Sequence, residues 1–145
     1  MIQRIQSVWL LLAGIINALL FYFCLFKAHE LINNVDTITY VRINDRFPLM
    51  MLALACIVLP IATIFNFKKR KQQRTMVFFC LLANISFITT ALMQVGNYTN
   101  KTPVPTNGSY GAGIVLPVIA IIFLIMAIRG INKDEKLVRA ADRLR

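Results

Sequence analysis

The sequence predicts an all-α protein, a four-helix transmembrane bundle with both chain ends on the cytoplasmic side, and three observations carry that expectation. Four uncharged apolar stretches occupy residues 8–26, 49–67, 76–95 and 112–128, and about 20 mostly apolar residues are what a helix needs to cross ~30 Å of hydrocarbon. Hydrophobic residues make up 58% of the 145 and the mean hydropathy is +0.67, well above the apolar share of an ordinary soluble domain. The basic residues are unevenly placed. Threading the four spans puts twelve Lys and Arg on one side and four on the other, with three acids on each. Cytoplasmic loops carry the Lys/Arg excess, so both ends and the stretch 68–74 are expected inside, and one integral membrane domain fills the whole chain.

Helices are predicted at about 8–27, 48–67, 75–96 and 111–129, with a cytoplasmic tail at 130–145. The first apolar run follows Arg4 but is too long for a signal-peptide h-region, and no small-x-small cleavage site precedes Lys27; it reads as a retained helix. Gly14 and Ala18 stand four apart on it, a spacing that lets helix backbones approach closely, and Ala83, Phe87 and Ala91 give a looser version on the third helix. In the second helix Pro60 removes an amide proton and frees the Cys56 carbonyl, which predicts a bend; Pro117 would do the same near the entry of the fourth. Trp9, Phe65, Phe67, Phe78 and Phe79 gather toward the inner interface and Tyr22, Phe26, Tyr98 and Tyr110 toward the outer one, where ring side chains favour headgroup depth.

No Asp, Glu, Lys, Arg or His falls within any of the four stretches. Intramembrane ionisable groups mark ion paths, proton relays and catalytic centres, so this pattern argues against a proton-coupled transporter and against an intramembrane hydrolase. The polar residues that do enter are Asn17, near the middle of the first span, and Asn84 and Ser86 in the third. An unpaired amide in hydrocarbon costs several kcal/mol, so Asn17 and Asn84 are expected to bond to each other or to a neighbouring backbone, as glue between helices. Cys24, Cys56 and Cys80 lie one on each of the first three helices at unmatched depths, without C-x-x-C or metal-ligand spacing, and read as packing residues. No cofactor or metal is implied.

Of the two outer segments, 37–43 is rich in β-branched and aromatic residues and suits a strand. The other, 97–110, holds Pro103, Pro105 and Asn107-Gly108, a signature that could close a hairpin. A small β-element shared by the two loops is one outcome. His29, beside Glu30 at the outer mouth, reads as a solvated interface residue. Asn97-Tyr-Thr, Asn100-Lys-Thr and Asn107-Gly-Ser match the N-glycosylation pattern.

The tail changes character. Asn132 and Glu135 make a capping-box pattern with Asp134 at a helix start. Leu137, Val138, Ala141 and Leu144 fall on one face, with Lys136, Arg139 and Arg143 opposite and Glu135 four residues before Arg139. A basic amphipathic helix beside a membrane can lie on anionic headgroups or dock on a partner. The predicted contact set for a partner or anionic lipid is therefore Lys68, Lys69, Arg70, Lys71, Arg74, Lys136, Leu137, Arg139, Ala141, Arg143 and Leu144. Nucleic acid is not expected, because no aromatic-interleaved basic platform accompanies the charge.

The two ends, Met1-Ile-Gln-Arg-Ile-Gln-Ser-Val-Trp-Leu-Leu-Leu and Ile128-Arg-Gly-Ile-Asn-Lys-Asp-Glu-Lys-Leu-Val-Arg-Ala-Ala-Asp-Arg-Leu-Arg, resemble the family of domain of unknown function 4293, four-helix inner-membrane proteins of Bacteroidota. The resemblance implies a compartment, the bacterial inner membrane, and a topology, and carries no activity with it. In that setting Asp36-Thr37-Ile38 is similar to the periplasmic O-glycosylation acceptor of these bacteria. The residues favour a non-enzymatic accessory or structural subunit that binds a membrane or membrane-associated complex, as partner or homo-oligomer. The alternative is a small-solute or lipid transporter acting as an oligomer, with Asn17, Asn84, Ser86 and Gln94 lining a path. An enzyme would need His29, Glu30, Asp36 and Asp45 to converge.

Overall fold

A computed structural model of the chain describes residues 2–32, 35–66, 69–101 and 107–143. Of 2–4, 29–32, 35–37, 70, 71, 100, 101, 107, 139 and 141–143 only the backbone is described. The order is α1 (Ile2–Ala18), β1 (Phe26–Ile32), β2 (Val35–Val41), α2 (Phe47–Phe65), α3 (Arg70–Lys101), β3 (Asn107–Tyr110) and α4 (Val115–Arg143), with single 3₁₀ turns after α1 and before α2 and α4. Each helix packs on its neighbour in sequence, and α4 closes the ring on α1.

Why these four helices bundle is visible in the spacing of their buried positions. The inward stripes are Gln6, Leu10, Ala13, Asn17 and Leu20 running along α1 into its 3₁₀ turn; Leu49, Ala53, Cys56, Pro60 and Thr63 on α2; Gln73, Val77, Cys80, Asn84, Phe87 and Ala91 on α3; and Pro117, Ala120, Leu124, Ala127 and Ile131 on α4. Steps of three and four alternate, a 3.5-residue repeat that keeps one seam facing its neighbours as the helices supercoil. The outward faces are apolar too. α2, α3 and α4 are each long and apolar enough to cross a membrane, yet only 28% of each apolar window is buried inside the bundle; a helix that is hydrophobic all round needs lipid or more protein around it. The apolar part of the first helical segment, Ile5–Phe21, is shorter.

The expected four helices are present, with changed boundaries. The first is predicted to reach residue 27 but ends in a 3₁₀ turn at Leu19–Phe21, because the following backbone is taken by strand-like pairing: Leu25 N–H donates to Val41 O at 3.0 Å, and Cys24 O and Leu25 O accept from Gly113 and Gly111 at 3.1 and 2.8 Å. The architecture is predominantly helical, with the four expected helices, and carries a small sheet besides. A three-stranded antiparallel sheet in the order β2-β1-β3 joins the two connections, pairing Phe26 with Val41 on one side and with Tyr110 on the other. Asn107-Gly108 lies within β3 rather than at a turn, and Pro103 and Pro105 lie outside the described residues. α3 runs on to Lys101, so Asn97 and Asn100 are helical and not in a loop.

The sheet marks one end of the bundle; the start of α1, the end of α2, the start of α3 and the end of α4 mark the other. At that terminal end, the tail is not a separate helix. α4 is continuous for 29 residues, about 43 Å at 1.5 Å per residue, longer than a hydrocarbon core of ~30 Å by nearly half. Asn132, Asp134 and Glu135 consequently sit mid-helix, where there is no free helix start for a capping box to satisfy. The stretch 69–74 is likewise mostly helix: α3 begins at Arg70, with Lys69 N–H donating to Asn66 O at 3.1 Å and Gln73 N–H to Lys69 O at 2.9 Å.

Candidate functional site

Polar residues interrupt the inward stripes at two levels. The first is central. Asn17 and Asn84 are fully buried; Asn17 stands between Ala13 and Leu20, and Asn84 between Cys80 and Phe87. Ala13 and Cys80 belong to one apolar cluster, with Leu10, Leu124 and Ile131, and Leu20 and Phe87 to another, with Leu49, Ala53 and Cys56. The two amides thus divide the core into halves.

Asn17 Nδ2 donates to the Cys56 carbonyl at 3.1 Å. This is the carbonyl that Pro60, four residues on, cannot bond. A backbone acceptor left open in α2 is answered by a side chain from α1, a bond of a kind worth about 0.6–2 kcal/mol within a membrane. Asn84 Nδ2 donates within its own helix, to Cys80 O at 2.9 Å. Of the two arrangements left open by the sequence, bonding to backbone is the one found. The Oδ1 atoms of both residues are buried without a hydrogen-bond partner. Thr63 completes the level: its hydroxyl donates to Leu59 O at 2.7 Å and lies 3.8 Å from Cys80 Sγ.

Ser86 does not join them. It is exposed, because two residues turn a helix by about 200° from Asn84, and its expected place in helix packing is corrected accordingly. Gly14 is not a tight crossing point either: a Cβ there would meet Ile61 Cγ1 at 3.7 Å, ordinary contact. Close approach occurs instead at Gly130, where a Cβ would stand 2.9 Å from Gln6 Cγ, and at Gly113, where it would stand 2.8 Å from Cys24 O. Cys24, placed in the first helix by the sequence, lies beyond its end in the segment stitched to Gly111 and Gly113; Cys24, Cys56 and Cys80 are all free.

The second polar level is at the terminal end. Gln6 and Gln73 are each 3% exposed, and Gln6 Nε2 has no hydrogen-bond partner. The sequence reading missed both, although the 3.5-residue repeat, carried back from Asn17 and Asn84, reaches them. Beyond them Arg74 Nη1 meets Glu135 Oε2 at 3.3 Å, tying the start of α3 to α4, and a pocket of about 260 Å³ is lined by Arg74, Asn132, Glu135 and Lys136. Of the predicted contact set, Lys69, Arg74, Lys136 and Leu137 are exposed. Arg70, Lys71, Arg139, Ala141 and Arg143 are placed on the helices by backbone only, and Lys68 and Leu144 lie outside the described residues. The structure brings Glu135 to Arg74, a pairing across helices that the i,i+4 reading with Arg139 did not contain.

At the sheet end, Lys27 Nζ and the Arg42 guanidinium lie 5.9 and 6.0 Å from the Tyr40 ring. His29 and Glu30 pair with Ile38 and Thr37, and Asp36 with Leu31, through the β1–β2 ladder. Among the described residues no group of three or more His, Cys, Asp or Glu gathers. What the arrangement offers chemically is hydrogen bonding at two buried, uncharged levels and a charged, partly open end where α3 and α4 meet.

No curated protein and no solved structure matches the chain. The model of the family described as domain of unknown function (DUF4293) matches residues 2–144, nearly the whole chain, and the protein belongs to that family.

Proposed function

We propose that this protein crosses a bacterial inner membrane four times with both ends in the cytoplasm, and serves there as a non-enzymatic accessory subunit of a membrane or membrane-associated complex. One observation carries the reading: α4 continues past the length a bilayer requires and holds Leu137 and Val138, 49% and 40% exposed, beside Lys133 and Lys136. A helix continuous with a transmembrane span stands off the membrane rather than lying on it, so this apolar stripe is presented to a protein more readily than to headgroups. The Arg74–Glu135 pair steadies its base. The excess of basic residues on this side supports the orientation.

The experiment is co-purification of the full chain in mild detergent. A stoichiometric partner is expected, and removal of residues 133–145 should release it while membrane insertion persists. A clean monomer across several detergents would overturn the reading. The transporter reading keeps one observation in its favour, the unpartnered Oδ1 atoms of Asn17 and Asn84; their complete burial and the outward placement of Ser86 weigh against it.

A further inference from the structure

Beyond Pro60 the second half of α2 is flanked by a groove on either side. The α1 side holds about 390 Å³, lined by apolar residues including Leu11, Gly14, Ile57, Ile61 and Phe65. The α3 side holds about 300 Å³, lined by Leu59, Ala62, Thr63, Met76 and Phe79, with Gln72 and Thr75 at one end. Both open on the apolar outer surface, where a void forfeits dispersion contacts that a hydrocarbon chain restores. They differ at the rim. Neither groove has a charged lining residue; the difference lies in the residues just beyond the lining. The α3-side groove ends at the first turns of α3, where Lys69, Arg70, Lys71 and Arg74 crowd the sequence and no acidic residue occupies the first turn. Lys69 and Gln72 are exposed there, roughly two to three turns before Phe78 and Phe79 open the apolar belt, which is headgroup depth.

We propose that the α2–α3 groove is a binding site for one anionic glycerophospholipid, its acyl chain lying against Ala62 and Phe79 and its phosphate held at the rim by Lys69 and Gln72. The charge of Lys69 at the rim selects the headgroup, and the slot beside α2 retains the chain. The inference rests on the membrane-embedded reading above and is independent of any protein bound to the α4 tail. The α1-side groove takes acyl chains without headgroup preference.

The test uses the full chain reconstituted in bilayers of mixed phosphatidylglycerol and phosphatidylethanolamine, released into mild detergent and weighed by native mass spectrometry. One retained phosphatidylglycerol per chain is expected, favoured over phosphatidylethanolamine by about fivefold, the scale one basic residue supplies near an anionic headgroup. Ala62→Phe should fill the slot and abolish retention. Lys69→Glu should remove the headgroup preference, while Ile61→Phe, which fills the other groove, should leave retention unchanged. Ala62, Lys69 and Ile61 are exposed, and the melting temperature of each variant confirms the fold. Equal retention of both lipids, no retained lipid, or retention undiminished by Ala62→Phe would overturn the proposal. Partner co-purification is read separately, so loss of one result leaves the other standing.

Discussion

The two ends of this bundle are closed by different means. At the sheet end the closure is backbone: β1 pairs on both edges, Gly111 N–H and Gly113 N–H reach Leu25 O and Cys24 O, and Phe26 packs edge-on to Tyr110 with ring centroids 5.6 Å apart. At the terminal end the closure is side chain. Gln6 and Gln73 are buried in the stripes, and Arg74 meets Glu135 across α3 and α4. Backbone pairing over consecutive residues is cooperative and sterically unforgiving, whereas a solvent-facing ion pair is worth ~0–1 kcal/mol and weakens with salt. The sheet end is a fixed lid; the terminal end is where the molecule can exchange one contact for another.

The largest effect that would expose this contrast is at Gly111. Its φ of −78° is open to any residue, but a Cβ would overlap the Cys24 carbonyl oxygen, and backbone cannot step aside as a side chain end can. Gly111→Ala should destabilise the protein by about 3 kcal/mol, read as a lowered midpoint in denaturing-detergent titration. A midpoint within error of the parent would show the lid to be loose.

The central level gives the next effect, and it separates two amides that look alike in sequence. Asn17→Ala leaves the Cys56 carbonyl unanswered and should cost about 1–2 kcal/mol more than Asn84→Ala, since the Cys80 carbonyl is already within reach of its helical N–H and loses only a second donor. The cycle can be closed. Pro60→Ala restores an amide proton four residues after Cys56, so in that background the penalty of Asn17→Ala should shrink by about 1 kcal/mol. Additive losses in the double variant would sever the proposed link between the proline and the asparagine.

The smallest effect belongs to the terminal end. Side chains of Arg74 and Glu135 are 46% and 23% exposed, so Arg74→Ala should cost no more than about 0.5–1 kcal/mol, and the difference from the parent should vanish in molar salt. A larger, salt-independent loss would make this end as rigid as the sheet.

Much of this was legible without coordinates, and unevenly so. The four helices follow from apolar runs of membrane length, because the cost of unbonded backbone in lipid leaves few other solutions. The opened Cys56 carbonyl was legible too, since proline's lost N–H is covalent. The identity of its partner was not: Asn17 was left between Asn84 and backbone, because depth along a helix is set by rise per residue while azimuth and neighbour are set by packing. Ser86 was grouped with Asn84 for the same reason, and its face is the exposed one. The buried glutamines were missed because the apolar stretch stops before them, although the 3.5-residue repeat does not. The α4 tail was read as a second helix from a capping pattern that any continuous helix can contain.

What the residues alone determined is the solvent and the rods: hydropathy fixes which segments prefer hydrocarbon, a property each segment carries by itself. What only the tertiary structure decided is which polar groups answer one another. Asn17 with the Cys56 carbonyl, Arg74 with Glu135, and Gly111 beneath Leu25 are pairings between distant segments, and hydrogen bonds and steric fit act over a few ångströms that exist only once the chain has folded.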